Sequence, residues 1–447
     1  MATNGLTNRP ISKVPPGGAS QAARTCLRVI LLASALLMVA WSFAVPVFEG
    51  PDEPAHWQYA HYLNKRHALP VYGPSYPEAG QPPLYYLVIA PLAVDVTLPR
   101  IGYVGEEYGR RHFLFPPRAY QNTSRDFESY WPFRTARLVS VLFSVFAVWF
   151  CSLAGTEASG SPWTGVLVGG LVAFWPMFSF RGMNVSNDSL LVVLCAFSLY
   201  LTVRLIKRGF TWRQGILAAV VGSAAFLTKV NAVALPVALL LAVVSGKALW
   251  RDKLLRAGVL GAIMLAIVGP WLIRNQLLYG DLLAQRAVFT AVRGLVERHS
   301  IASSYFSTYF PIILITSFIG TFGWMSVLLP LWAYGAYLVG LVSAGACWIR
   351  GVRRRRVDFR LSAILACAIV LNLIVIIQMN LTTAQPQGRY FLPTLPAMAL
   401  MLGLGLESSR SWSQFRATLT LGGLAVSNVI MLVYLVIPAY WPPVITG

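Results

Sequence analysis

Apolar runs of roughly twenty residues recur from Leu27 to the C-terminal end of the chain, and a helix of that length matches the hydrocarbon thickness of a bilayer. Inside lipid every backbone N–H and C=O must find a partner within the protein, so runs of this kind are helices. The spans predicted cover 27–48, 136–155, 162–180, 189–206, 214–229, 231–246, 257–276, 361–380, 390–406 and 417–437, with one more crossing between 306 and 349. In that last stretch Gly320, Gly323 and Pro330 interrupt the run, which predicts one span plus a broken or re-entrant segment. The fold class is all-α: a polytopic membrane protein, a bundle of about eleven transmembrane helices.

Composition points the same way. Over 447 residues the chain is 56% hydrophobic and 12% charged, more apolar surface than a soluble core of this size hides, which excludes a soluble enzyme. Its 14 Trp, 19 Tyr and 23 Phe exclude a disordered or fibrous chain. A net charge of +20 would suggest nucleic acid on a soluble domain; here the basic residues are split among loops on both faces, and no nucleic-acid partner is expected. The short loops Arg204–Arg213, Lys247–Arg256 and Arg350–Arg360 are strongly basic, as is the segment carrying Arg9, Lys13, Arg24 and Arg28. The positive-inside rule places these in the cytoplasm, with the N-terminus, and puts the C-terminus outside. Residues 1–26 then form a disordered cytoplasmic tail and 27–447 a single transmembrane domain with a long external loop over 49–135. Cys26, Cys151, Cys195, Cys347 and Cys367 show no CxxC spacing and read as small buried hydrophobes.

Chemistry is concentrated on the external side. Directly after the first run comes Phe48-Glu49-Gly50-Pro51-Asp52-Glu53-Pro54-Ala55-His56, three carboxylates at the water boundary. Pro54 suits the first turn of a helix on which Ala55, Tyr59, Tyr62 and Leu63 share one face, so an amphipathic surface helix is predicted with Asp52 and Glu53 at its N-terminal end. Acids there can simply cap the helix and complement its dipole. Adjacent carboxylates on the rim of a membrane cavity can also serve as a general base or help to hold a divalent cation, although two acids are too few ligands to define a metal site.

Further along, Gln81-Pro82-Pro83-Leu84-Tyr85-Tyr86 delivers an aromatic pair behind a rigid Pro-Pro step. Asn187-Asp188-Ser189 puts an acid at the mouth of the fourth span, where an N-cap is the competing reading. Lys229 stands at a turn between two short spans and either snorkels to the surface or pairs with phosphate. Arg274 ends the seventh span, and Arg286, Arg293, Arg298 and His299 follow in one loop. Gly388-Arg389-Tyr390-Phe391-Leu392-Pro393 sets an arginine at the mouth of the tenth span. A guanidinium fork matches phosphate oxygens, which makes Arg389 the preferred phosphate ligand.

Taken in order, Pro51-Asp52-Glu53-Pro54-Ala55-His56, Gln81-Pro82-Pro83-Leu84-Tyr85-Tyr86, Asn187-Asp188-Ser189, Thr228-Lys229 and Gly388-Arg389-Tyr390 with Pro393 resemble the landmarks of GT-C type membrane glycosyltransferases. The likeness is to bacterial membrane proteins related to the protein O-mannosyltransferase and aminoarabinose-transferase group. Each motif is short, and the specificity lies in the set. The resemblance implies a polyprenyl-phosphate-linked sugar donor and transfer on the external face of the inner membrane, with inversion at the anomeric carbon. It also implies an acceptor that is a glycan, lipid or protein. Asp52, with Glu53 beside it, falls at the catalytic acid of the first external loop; Asp188 falls at a second acidic position; Lys229 and Arg389 fall at basic positions around the donor phosphate. His56, Gln81, Tyr85, Asn187, Arg274 and Tyr390 complete the expected substrate contacts. The chain stops about ten residues after the last span, so acceptor recognition is expected from the external loops or a partner. The apolar run Leu84–Leu98 and the aromatic-rich segment Phe306–Trp332 are the expected groove for the polyprenyl chain. A transporter or flippase of a lipid-linked anion is the alternative, and the chain shows no inverted repeat that would support it.

Overall fold

The structure, a computed structural model, describes residues 18–73, 76–94, 130–285, 298–409 and 413–441. The expected tail up to residue 17, the end of the run to Leu98, and Arg286 and Arg293 lie outside the described residues. Helix α1 (Gly18–Ala44) starts earlier than the predicted first span, because polar residues such as Gln21 and Arg24 are good helix formers that extend it beyond its apolar part. Then come α2 (Glu53–Arg66), α3 (Leu84–Ile89), α4 (Trp131–Ser159), α5 (Pro162–Ala173), α6 (Pro176–Gly182) and α7 (Asn187–Arg208). Next are α8 (Trp212–Phe226), α9 (Ala234–Val244), α10 (Trp250–Tyr279) and α11 (Phe310–Gly320). The bundle closes with α12 (Leu331–Arg353), α13 (Phe359–Asn380), α14 (Leu395–Ser408) and α15 (Gln414–Met431).

Among the described residues eight helices are long and apolar enough to cross a membrane, or nine if the bent pair α5–α6 is one span. The predicted spans at 214–229 and 231–246 are shorter helices of 15 and 11 residues. Pro162 and Pro176 each open a helix, where a missing N–H costs nothing, and the chain bends by 69° between them. The break expected between 306 and 349 is present. Helix α11 ends at Gly320, a hairpin pairs Thr321 with Leu328 and Phe322 with Val327, and Pro330 precedes α12.

Burial is uneven. In α10 only 17% of the apolar window is buried, and Leu331 and Trp332 at the start of α12 are 86% and 76% exposed. Surface this apolar is untenable in water and natural against lipid, so the chain is a multi-pass membrane protein. The core lies among α1, α4, α5 and α7 and continues to α6 and the hairpin, where Trp41 of α1, Phe180 of α6 and Phe322 of the hairpin pack ring against ring. One end of the bundle is tied by Arg208 to Glu157 and by Lys207 to Asp358. The charged groups of the predicted site gather at the other end. The five cysteines are free; Cys151 and Cys195 are buried, while Cys26, Cys347 and Cys367 are only half-buried because they sit on outer helix faces.

Candidate active site

Helix α1 hands over to α2 through a tight turn in which Phe48 and Asp52 both adopt left-handed backbone, with φ of 67° and 66°. Such conformations cost about 1 kcal/mol or more for residues with a Cβ, and Asp tolerates them better than most. What over-determines this turn is Glu53. Its carboxylate is fully buried and takes Arg137 in a two-pronged pair, Nε to Oε1 at 2.9 Å and Nη2 to Oε2 at 2.6 Å. It also accepts the N–H groups of Gly50 and Val185, each at 3.0 Å. The remaining Arg137 donors reach the carbonyls of Ser42, Val45 and Pro46. Glu53 is thereby saturated, so the adjacent carboxylates of the sequence have opposite surroundings: Glu53 locks the turn, and Asp52 alone faces outward.

Asp52 holds the N-cap position of α2 but makes no capping hydrogen bond, so the capping reading fails. Its carboxylate instead forms an ion pair with Arg389, 337 positions away in sequence. Burial alone would raise the Asp52 carboxyl; Arg389, with Arg181 behind it, holds it below the usual carboxylate range. Arg389 is placed by Gly388, whose N–H donates to Ser317 Oγ at 2.7 Å and where a Cβ would overlap the backbone of Phe318. The Arg389 Nη2 reaches the Tyr390 hydroxyl at 3.2 Å, and that hydroxyl donates to Gln385.

A second acid–base group adjoins the first. Asp188 takes Lys229 Nζ on Oδ1 and Arg181 Nη2 on Oδ2, both at 2.6 Å. Lys229 therefore does not snorkel. It turns inward and lies 5.3 Å from the centre of the Tyr390 ring, within cation–π range. Arg181 also donates to the carbonyl of Pro51, linking the two groups. Asn187 bridges from Gln81 Oε1 to the carbonyl of Thr228.

Asp52, His56 and Glu78 bring one donor atom each to within 4.8 Å of one another. Burial holds His56 down to about 3 against the pull of Asp52, so it is neutral, and its Nδ1 lies 2.9 Å from the Tyr86 hydroxyl. Burial and then the charge of Asp52 push Glu78 up to about 7. By spacing these donors fit a small divalent cation; by charge the place is already served by Arg389, with Lys229 and Arg181 acting on the same groups. A stack of rings, Tyr59 on Tyr86 at 3.8 Å and Tyr86 on His56 at 5.7 Å, walls this side of the site.

The structure thus gathers Asp52, His56, Gln81, Asn187, Asp188, Lys229, Arg389 and Tyr390 at one end of the bundle. Two expected contacts fall elsewhere. Tyr85 is fully buried with its hydroxyl 3.3 Å from Ser140, and its neighbour Tyr86 takes the place at His56, because α3 turns successive side chains to different faces. Arg274 donates to the carbonyls of Leu69 and Pro70 and so holds the loop after α2. A cavity of the bundle also lies away from the expected lipid groove, between α7, α9, α13 and α14, lined by Cys195, Thr202, Asn231, Ala238, Ile364 and Pro393. Sequence reasoning missed Arg181, Arg137 and Glu78; a charge inside or beside an apolar run, as at Arg137, is the signal that could have found the first two.

The helical membrane bundle, with its short hairpin, has a GT-C-type fold by its likeness to solved structures. The architecture is similar to that of ArnT from Cupriavidus metallidurans in its structure bound to undecaprenyl phosphate, with a TM-score of 0.53 and 16% identity over 92% of this chain and 73% of that one. It is also similar to the Archaeoglobus fulgidus oligosaccharyltransferase in the apo form, with a TM-score of 0.50 and 13% identity over 93% of this chain and 55% of that one. At these identities the likeness is one of fold. No curated protein matches the sequence. Residues 132–398, more than half of the chain, match the family described as "Predicted membrane protein (DUF2142)", and the chain belongs to that family.

Proposed function

We propose that this protein is a membrane glycosyltransferase. It transfers a sugar from a polyprenyl-phosphate-linked donor to an acceptor glycan, lipid or protein on the external face of the membrane, with inversion. The observation that carries the reading is the Asp52–Arg389 ion pair standing beside the Asp188–Lys229 pair at one end of the bundle, with Arg181 linking the two. The undecaprenyl phosphate held by ArnT, a protein of the same fold, adds weight to a lipid-phosphate donor. In this reading residues 27–447 act as one transmembrane domain with the N-terminus cytoplasmic and the C-terminus external, which sets the site outside.

The chemistry needs one base and one anion clamp. Asp52 takes the proton of the acceptor hydroxyl, the hydroxyl oxygen attacks the anomeric carbon, and the bond from that carbon to the phosphate oxygen breaks on the opposite side. A single displacement inverts the centre. Phosphate is already a good leaving group, so no second carboxylate has to act as general acid. Arg389 and Lys229 stabilise the charge that collects on the leaving phosphate. Glu53 holds the Asp52 turn through Arg137 and the N–H groups of Gly50 and Val185. The mostly apolar cavity between α7, α9, α13 and α14, lined in part by Asn231, which reaches the Tyr390 carbonyl, is where this reading starts the path of the isoprenoid chain.

The test is transfer of labelled sugar from polyprenyl-phosphate donors by the purified protein in lipid, with Asp52→Asn as its pair. The variant is expected to lose at least about 10²-fold in rate while remaining folded. Full activity in the variant would remove Asp52 from the chemistry.

A further inference from the structure

Asp52 and Arg389 neutralise each other in this structure. A carboxylate held on a guanidinium is a weak base, and a guanidinium held on a carboxylate has less to offer a phosphate. The neighbouring pair is built differently: when Lys229 leaves Asp188, that acid keeps Arg181 on Oδ2 through both Nη2 and Nε. Asp52 and Arg389 exchange only with an incoming group. Arg389 is prepared for one. Its side chain is 11% exposed, its Nη1 is on Asp52, its Nη2 is on Tyr390, and its Nε is buried without a hydrogen-bond partner. A buried, unpartnered guanidinium N–H is costly and calls for an oxyanion. The backbone that carries Asp52 is fixed by Glu53 and Arg137, so the carboxylate is free to move by side-chain rotation alone.

Resting on the lipid-phosphate reading above, we propose that the donor's phosphate takes Arg389 away from Asp52, so that seating the donor is the event that frees the base. Binding is then ordered, donor before acceptor activation. Without donor the base stays quenched.

Binding of undecaprenyl phosphate, with undecaprenol as the phosphate-free control, is measured on the full chain in lipid nanodiscs for wild type, Asp52→Asn, Arg389→Gln and the double variant. Thermal unfolding checks that each is folded, and Arg389→Met stands in if the glutamine variant is not. Removing the competing carboxylate should tighten binding about tenfold or more, and removing Arg389 should weaken it by a similar factor. The gain from Asp52→Asn should vanish when Arg389 is already gone. An equal gain in both backgrounds would mean general relief of negative charge, and an unchanged or weaker affinity in Asp52→Asn would mean no competition; either overturns the exchange. Failure of all four proteins to prefer the phosphate over the alcohol would overturn the lipid-phosphate reading itself, and the exchange with it.

Discussion

Glu49 offers a stringent check on the physics of the loop that carries the proposed base. It lies at the floor of the turn, 3% exposed, and burial, reinforced by the charge of Glu53 and opposed by Arg137, raises its carboxyl from 4.5 to about 8. A group whose pKa is raised on folding binds its proton more tightly in the folded state. Its stabilising contribution is fully present below pH 4.5, falls by about 1.4 kcal/mol per pH unit between there and pH 8, and is gone above about 8. Between pH 5 and pH 8 that amounts to about 4 kcal/mol, a large part of the stability of most domains. Glu49→Gln keeps the shape of the neutral acid and removes the slope. Unfolding of both proteins in nanodiscs, followed at pH 5.5, 7 and 8.5, should show a gap that widens with pH in favour of the variant. Transfer activity should follow, because ionising Glu49 places a second negative charge beside the Glu53–Arg137 pair that fixes the Asp52 turn. Parallel stability profiles would mean that Glu49 is already ionised in the folded protein and would refute the reasoning.

Two further outcomes follow from the same region. Glu53→Ala leaves Arg137 buried without its acid and should cost about 3–5 kcal/mol in an unfolding measurement; a loss below about 1 kcal/mol would show that the turn is held by something else. Chelation with EDTA should leave the transfer rate unchanged, since Arg389 and Lys229 supply the positive charge for the leaving phosphate; activity that disappears and returns with added Mn²⁺ would instead place a cation among Asp52, His56 and Glu78.

Much of this architecture is legible in the sequence because a bilayer imposes a length and a polarity that local reading can recover. The apolar runs mark the helices, Gly320 and Pro330 mark the break, and the motifs around Asp52, Asp188, Lys229 and Arg389 mark one end of the bundle. The difference between Asp52 and Glu53 is not legible. Both are acids at the start of one helix, and what separates them is Arg137, a charge that a hydropathy reading assigns to a loop boundary and the fold buries beneath the turn. Tyr85 and Tyr86 are likewise equivalent as letters, and the rotation of a six-residue helix decides which reaches His56.

The pairing of Asp52 with Arg389 shows that the site depends on contacts between distant parts of the chain. One partner follows the first span and the other opens a late helix, so the contact exists only when nearly the whole bundle has closed. Each is expensive to bury alone and tolerable together, which ties the chemistry to completion of the fold. An incomplete bundle would leave Asp52 and Arg389 apart. The proposed catalytic arrangement is in this sense a property of the closed molecule, since the pair proposed to quench the base joins residues 337 positions apart in sequence.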